Sequence, residues 1–484
     1  MTKETLKEKT AKGLLWGAFS SGSTQVLNIV IGIFLARQLS HADYGIVAML
    51  AIFTAIAGNI QDSGFTNALI NRKHIEHKDY NAVFWFNVLV SILLYIILFF
   101  CAPLIAAYFR QPCLVELSRL VFLTFVIAAL GIVHNAYLTK QLMNREKAII
   151  GIVALVVSGT VGVTLAYMGK GYWSIAWQQV TFNLMVLLGR MWYTRWHPTL
   201  HISFAPIREM FPFSVRILIT SVVNTLSQNV LTLIFGRWYK VQELGVFNQA
   251  YQWDFKAHSF MNMTVAQVAQ PVLASLNDEG DRQLRAFRKM LRFAAFLSFP
   301  LMFGLAMVSE EFIVLTVTEK WLPSVPFLRI LCVSGAFAPF YELYRNLAIS
   351  EGRSDLYMRC NIMQIVLQLL IIIIAHPWGI QGMVIAYATF NILWLFVWQA
   401  IASRLVGIRL FDALCDVVPF LLASAAVMAV TFWLTSGIVH YGLLLGVRII
   451  VAAVLYFLIM KAARVKMLDE SIAFLTKRKM NSQT

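Results

Sequence analysis

The side chains best equipped for chemistry in this chain lie in one apolar stretch, 243–271, which holds Gln249, Gln252, Asp254, Lys256 and His258. Read as a helix entered at Glu243 and rising 1.5 Å per residue, it puts Asp254 ~16 Å deep, near the middle of a ~30 Å hydrocarbon layer. An ionised group there costs several kcal/mol unless it meets water, a ligand or a partner. Gln249, Gln252 and Lys256 recur at helical spacing and share a face, while Asp254 lies on another. The two charges therefore need not neutralise each other. Lys256 offers a point charge to an anion. Asp254 is placed to carry a coupling proton or Na⁺, or else to pair within a helix bundle. Arg216, about two turns into the stretch 210–236, is a second cation unless it snorkels to the interface. Asp62, near the end of the stretch 44–64, is a second carboxylate for ion coupling, or a helix-end polar group.

Other chemistries lack their residues. No glycine-rich loop ends in Gly-Lys-Ser/Thr, and no zinc motif or serine nucleophile elbow is present. Neither a cofactor nor a metal is expected. The five cysteines (Cys101, Cys113, Cys332, Cys360, Cys415) form no CxxC, and His74 and His77 read as a solvated interfacial pair. The connecting segments are too short to fold a catalytic domain, so the chain is not expected to be an enzyme.

The elements that must position these groups are membrane helices. Hydrophobic residues make up 59% and charged residues 13%, against about a quarter charged in soluble domains. About fourteen stretches of spanning length follow one another, near 13–37, 44–64, 82–108, 116–138, 148–168, 172–194, 210–236, 243–271, 287–308, 325–348, 356–376, 379–402, 412–436 and 441–462. The fold class is an all-α polytopic membrane protein. The net charge of +16 suggests nucleic acid only until its placement is read. Lys and Arg outnumber those on the opposite side by about four to one if the N-terminus is cytoplasmic. Both termini are then cytoplasmic, and the basic excess is mostly orientation, with attraction to anionic headgroups of the bilayer. The first apolar stretch is longer than a signal-peptide core and lacks a clear cleavage site, so it reads as a retained helix.

A repeat orders the helices. Residues 34–45, FLARQLSHADYG, lie without a gap over 234–245, IFGRWYKVQELG, so that Arg37, Asp43 and Gly45 match Arg237, Glu243 and Gly245. Ser21 and Val30 match Ser221 and Val230 at the same offset. Each copy ends the first helix of a half and opens the second. The arginines and acids either fix the hairpin or form part of an outer gate. The first helix of each half also carries a polar stripe, Gln25 and Asn28 in one, Asn224 and Gln228 in the other, with Ser and Thr at helical spacing. Such a stripe is either helix–helix glue or the lining of a shared cavity. The organisation expected is a cytoplasmic N-terminus 1–12, an N-lobe 13–195, a cytoplasmic inter-lobe loop 196–209, a C-lobe 210–404, two extra helices 405–464 and a cytoplasmic tail 465–484. The two six-helix lobes would be related by a pseudo-two-fold along the membrane normal.

Seven segments carry a family resemblance: LARQLSHADYG (35–45), QDSGFTNA (61–68), YLTKQLMNREK (137–147), GYWSIAWQQ (171–179), ELGVFNQA (243–250), WLPSVPFLRIL (321–331) and EGRS (351–354). In that order they resemble the Wzx-type polysaccharide-transport family of the multidrug/oligosaccharidyl-lipid/polysaccharide superfamily, exporters of lipopolysaccharide and colanic acid glycans. The resemblance covers roughly residues 10–465. It implies a flippase in the bacterial inner membrane that moves undecaprenyl-diphosphate-linked oligosaccharide by ATP-independent alternating access. It also implies cations in a central cavity, for which Lys256 and Arg216 are the nearest candidates. Other glycan-assembly membrane proteins are partners on this reading, and nucleic acid is not. The alternatives are a multidrug or cation antiporter of the same superfamily, which would favour buried acids, and a glycan polymerase or ligase, which would need a long outer loop. A non-transporting member of a glycan-assembly complex would leave the paired polar stripes without a use.

Overall fold

The computed structural model describes residues 6–62, 69, 75–200, 205–276, 280–465 and 467–468. Among them there is helix and no strand. In chain order the helices are α1 Leu6–Gln38, α2 His41–Asp62, α3 His77–Phe109, α4 Leu114–Leu130, α5 Ile132–Lys140, α6 Asn144–Tyr167, α7 Trp173–Tyr193, α8 Ala205–Trp238 and α9 Val241–Ser275. They continue as α10 Gly280–Met307, α11 Ser309–Val317, α12 Val325–Gly335, α13 Ala338–Ser350, α14 Ser354–Ala375, α15 Gly379–Val406, α16 Leu410–Leu434 and α17 Tyr441–Ala462. Each apolar stretch read from the sequence lies on one of these helices or on a broken pair. By length and composition, seven described helical segments can cross a membrane, or eight if the bent pair α4–α5 is one span.

Lipid satisfies no backbone group, so a spanning segment must bond internally, and the helix is the form that does so. The outward faces fit that solvent. Along α3, Leu89, Leu93, Phe100 and Leu104 are exposed, and along α14 so are Val366, Leu370 and Ile374. Rows of this size would be untenable in water. The interior instead holds small polar groups, with Ser91, Ser158, Ser298 and Ser424 fully buried. Their small size lets helices approach closely, and Ser158 bonds back to the Leu155 carbonyl at 3.2 Å.

Helices run beyond the apolar stretches. α8 begins at Ala205, inside the segment read as loop, and α10 begins at Gly280, well before its apolar part. Hydropathy marks the hydrocarbon layer, whereas a helix continues past it wherever polar residues still bond internally.

The chain forms two compact units, Met1–Gly245 and Val246–Thr484. In the first, α6 packs on α1 and α7, α3 on α4, and α2 and α3 on α8. Grouping by contact thus places α8 with the first unit, later in the chain than the loop 196–209. The start of that loop is docked. Trp196 sits among the rings of His77, Tyr80, Phe84 and His134, the Trp85 indole donates to Thr199 O at 2.7 Å, and Thr199 N donates to Asn81 at 2.9 Å.

In the second unit α10 packs on α12 and α16, α14 and α12 on α15, and α16 on α17. Charge ties α16 to α10. Asp416, 4% exposed, accepts from Arg288 Nε at 2.6 Å and Nη2 at 3.3 Å, with Arg292 at 3.7 Å. Asp412 lies 3.5 Å from Arg288 but is well exposed. Asp416→Ala is expected to cost ~1.5–3 kcal/mol, because it removes the charge-assisted hydrogen bonds from Arg288 to a buried carboxylate. Asp412→Ala should cost less than ~1 kcal/mol. Thermal unfolding in detergent checks both, and equal losses would count against this ranking.

Candidate functional site

The two repeat motifs build matching corners. Where α1 turns into α2, Asp43 Oδ2 accepts from Ser40 N at 2.8 Å and from Ser40 Oγ at 2.6 Å. Where α8 turns into α9, Glu243 accepts from Lys240 N at 3.3 Å. Both are acidic residues in a first turn, reaching back to an N-terminal amide. Asp43 has a second task, since its Oδ1 accepts from Tyr172 N at 2.8 Å and so fixes the turn before α7. Arg37 closes α1 and is exposed. Arg237 closes α8, donates to Tyr108 O at 2.6 Å and lies over the Tyr108 ring at 5.5 Å, which anchors it to the end of α3.

The corners also meet reciprocally. A Cβ on Gly45 would collide with the carbonyl of Val241, and one on Gly245 with the carbonyl of His41. Positions 41 and 45 correspond to 241 and 245 across the repeat, so one contact is made twice. Only glycine permits it.

Among the described residues, Asp254 is the most buried of the expected charges. It is 5% exposed. Its Oδ2 is 3.9 Å from His258 Nε2, and its Oδ1 has no hydrogen-bond partner among the described residues. The carboxylate lies against Gly335, where any Cβ would collide with it. Gly335 is the last residue of α12, and after Ala336 and Phe337 the chain re-enters helix at α13, with Pro339 in its first turn. The segment from Glu319 to Ser350 remains one candidate span, with a short turn at Ala336 and Phe337. Ser298 Oγ donates to Ala336 O at 2.7 Å in the turn that follows. Lys256 leaves the carboxylate alone and sits with Nζ 4.8 Å over the Trp253 ring. Gln249 is buried and Gln252 exposed.

Beside Asp254 the second unit holds a polar seam. Tyr251 and Tyr387 lie within electrostatic reach of it. Tyr341 donates to Asn391 O, and Gln368 donates to Asn391 Oδ1 at 2.6 Å, with Gln364 at 3.4 Å. None of these was singled out from sequence, although Gln364 and Gln368, one turn apart in the otherwise apolar run 362–375, were a readable signal.

Of the polar stripes, Gln25 is half-buried and Asn28 exposed. The side chains of Asp62, Arg216, Asn224 and Gln228 lie outside the described residues. No group of three or more His, Cys, Asp or Glu able to hold a metal occurs among the described residues.

An all-helical membrane protein with an ionisable carboxylate buried among its helices is a transporter-like architecture. Residues 34–326, more than half of the chain, match the polysaccharide biosynthesis protein family. The chain belongs to that family. It is 26% identical over 364 residues to the lipopolysaccharide biosynthesis protein WzxC of Escherichia coli K12, covering 74% of this chain and 73% of that one. It is 27% identical over 354 residues to the teichuronic acid biosynthesis protein TuaB of Bacillus subtilis 168, covering 73% of each. Its fold is similar to that of the lipid II flippase MurJ in an inward closed conformation, with a TM-score of 0.77 at 15% identity over 94% of this chain and 99% of that one.

Proposed function

We propose that the protein translocates undecaprenyl-diphosphate-linked oligosaccharide, the repeat unit of an O-antigen or exopolysaccharide, across the bacterial inner membrane. It does so by alternating access without ATP, with both termini in the cytoplasm. The observation that carries the reading is a lipid-flippase fold along 94% of a polysaccharide-biosynthesis family member. The bilayer and the lipid-linked glycan are its partners, with other glycan-assembly proteins beside it. Lys256, Arg216, Gln25, Asn28, Asn224, Gln228, Gln249 and Gln252 are the residues assigned to the substrate.

Asp254 is assigned to ion coupling, with Asp62 as a second candidate. The physical support is electrostatic. The Asp254 carboxylate is buried against Gly335 with Oδ1 unpartnered among the described residues. An ionised carboxylate in a low-dielectric interior is costly unless a proton, a cation or a partner joins it. Protonation or Na⁺ binding therefore changes the energy of packing α9 against α12 at Gly335.

The test is flipping of lipid-linked oligosaccharide by pure protein in proteoliposomes with H⁺ and Na⁺ gradients supplied. Absence of translocation sinks the reading. Lys256→Ala is expected to slow transport about tenfold or more, the equivalent of losing one charge-assisted contact, with membrane insertion intact. Asp254→Asn should remove the ion dependence. Unchanged ion dependence in that variant would take Asp254 out of the mechanism.

A further inference from the structure

The segment Thr194–Leu200 leads from α7 towards α8 and is neither helix nor strand. It is nonetheless fastened along α3. His77 Nε2 donates to His197 O at 3.2 Å, Asn81 Oδ1 accepts from Thr199 N at 2.9 Å, and Trp85 Nε1 donates to Thr199 O at 2.7 Å. His77, Asn81 and Trp85 recur at intervals of four and stand in a row on one face of α3. Alternate residues of an extended chain, such as 197 and 199, turn their backbone groups to one side. Four helical residues rise ~6 Å and two extended ones ~6.6 Å, so the row and the strap agree in spacing.

One side chain pins the strap. Trp196 is 7% exposed, with ring centroids 5.8 Å from His77, 6.2 Å from Tyr80, 5.5 Å from Phe84 and 5.4 Å from His134. Its neighbours Arg195 and His197 are exposed, as are Pro198, Thr199 and Leu200. Trp196 shares its apolar cluster with Val83, Val133 and Ile207. Ile207 lies in the first turn of α8, so the pin also holds the start of that helix.

The docking is reversible in its construction. The bonds to the strap backbone lie at an exposed surface, where water replaces them and local opening is cheap. Trp196 Nε1 and His134 Nδ1 are buried without a hydrogen-bond partner among the described residues. Undocking gives each of them water again, which offsets part of the apolar surface exposed. The far end of α8 is held otherwise. There Arg237 donates to Tyr108 O at 2.6 Å, and a Cβ on Gly236 would collide with the Phe109 ring. α3 therefore grips both ends of α8, and its grip on the Trp196 end runs through an exposed strap. α8 is also the helix with which the second half of the repeat begins.

We propose that Thr194–Leu200 is a conformational latch. Docked, with Trp196 in its pocket, it fixes the start of α8 to α3. It undocks once in each transport cycle, when the halves of the repeat rock. This rests on the alternating-access reading above.

The test tethers the strap. In the full chain with its five native cysteines replaced by alanine, Trp85→Cys and Thr199→Cys are joined by a bis-methanethiosulfonate that a reductant cleaves. Flipping of lipid-linked oligosaccharide in proteoliposomes is expected to slow about tenfold or more on tethering and to recover on reduction. Each single-cysteine variant treated with the same reagent should flip at its untreated rate. Tethered flipping at the untethered rate overturns the latch. So does a loss that reduction fails to reverse, or one that a single-cysteine variant shares. Hydrogen–deuterium exchange gives a readout independent of transport. In Trp196→Ala the amides of residues 209–215 should exchange about tenfold or more faster than in wild type, with those of residues 230–236 unchanged. No acceleration, or equal acceleration at both ends of α8, also overturns the latch. Thermal melts report folding of each variant. Normal flipping with a harmless tether sinks the latch alone. Absence of flipping by the untethered chain sinks the transport function, and the exchange measurement then decides the latch.

Discussion

Arg448→Leu is expected to destabilise the protein by ~3–5 kcal/mol, the cost of leaving one member of a buried ion pair without its partner. Arg448 is 5% and Glu311 4% exposed, and the two are directly bonded. Arg448 also donates to Thr435 Oγ1 at 3.2 Å and lies 4.7 Å from the Phe432 ring. The removal strands Glu311, whose Oε2 already lacks a partner among the described residues. The double variant Arg448→Leu/Glu311→Met should recover most of the loss, because two apolar groups of similar volume need no partners. Unfolding of the two single variants and the double variant closes the cycle. Additive losses would show that the two side chains are not coupled. The pair joins α17 to α11, so the C-terminal helices are bound into the second unit by charge as well as by apolar contact.

Gly45→Ala and Gly245→Ala form the second test, and each is expected to destabilise by ~1–3 kcal/mol through overpacking. In both cases the new methyl meets a backbone carbonyl. A carbonyl has no rotamer to yield, so the ends of α2 and α9 must separate. Once separated, they accommodate a second methyl at little further cost. The double variant should therefore lose clearly less than the sum of the singles. Gly151→Ala is the control. Nothing lies within 4 Å of a Cβ there, and alanine in a helix interior gains up to ~1 kcal/mol over glycine. If Gly45→Ala melts like Gly151→Ala, the close approach is not a constraint. On the transport reading, the two alanines also slow turnover, because the conformation in which the corners touch is disfavoured.

Much of the architecture was readable in one dimension. Spanning length depends on composition within a window, and so each apolar stretch coincides with a helix or a broken pair. The repeat was readable because Arg37, Asp43 and Gly45 recur in register. The acidic capping of α2 and α9 follows from an acid three residues after the residue whose amide it accepts from, a local pattern. Breaks in helices were less legible. Gly131 alone, or Gly335 followed by Pro339, is compatible with a continuous span, a kink or two half-helices.

Partners of charge were not legible. Nothing in the sequence near Arg448 marks its partner, since the carboxylate it bonds is 137 residues away in the chain. Arg190 reads as one more cation at a cytoplasmic helix end, yet it lines a cavity whose other walls come from α2, α4, α5 and α8. Asp254 was marked by depth alone. That it faces the end of α12, and that Lys256 turns to Trp253 instead, depends on which helices pack beside α9. Apolar length, charge placement and repeats are properties of segments, because transfer into hydrocarbon is nearly additive along a helix. The partner, orientation and cavity of each polar group are properties of packing, set by which helix faces meet, and tertiary structure alone decides them.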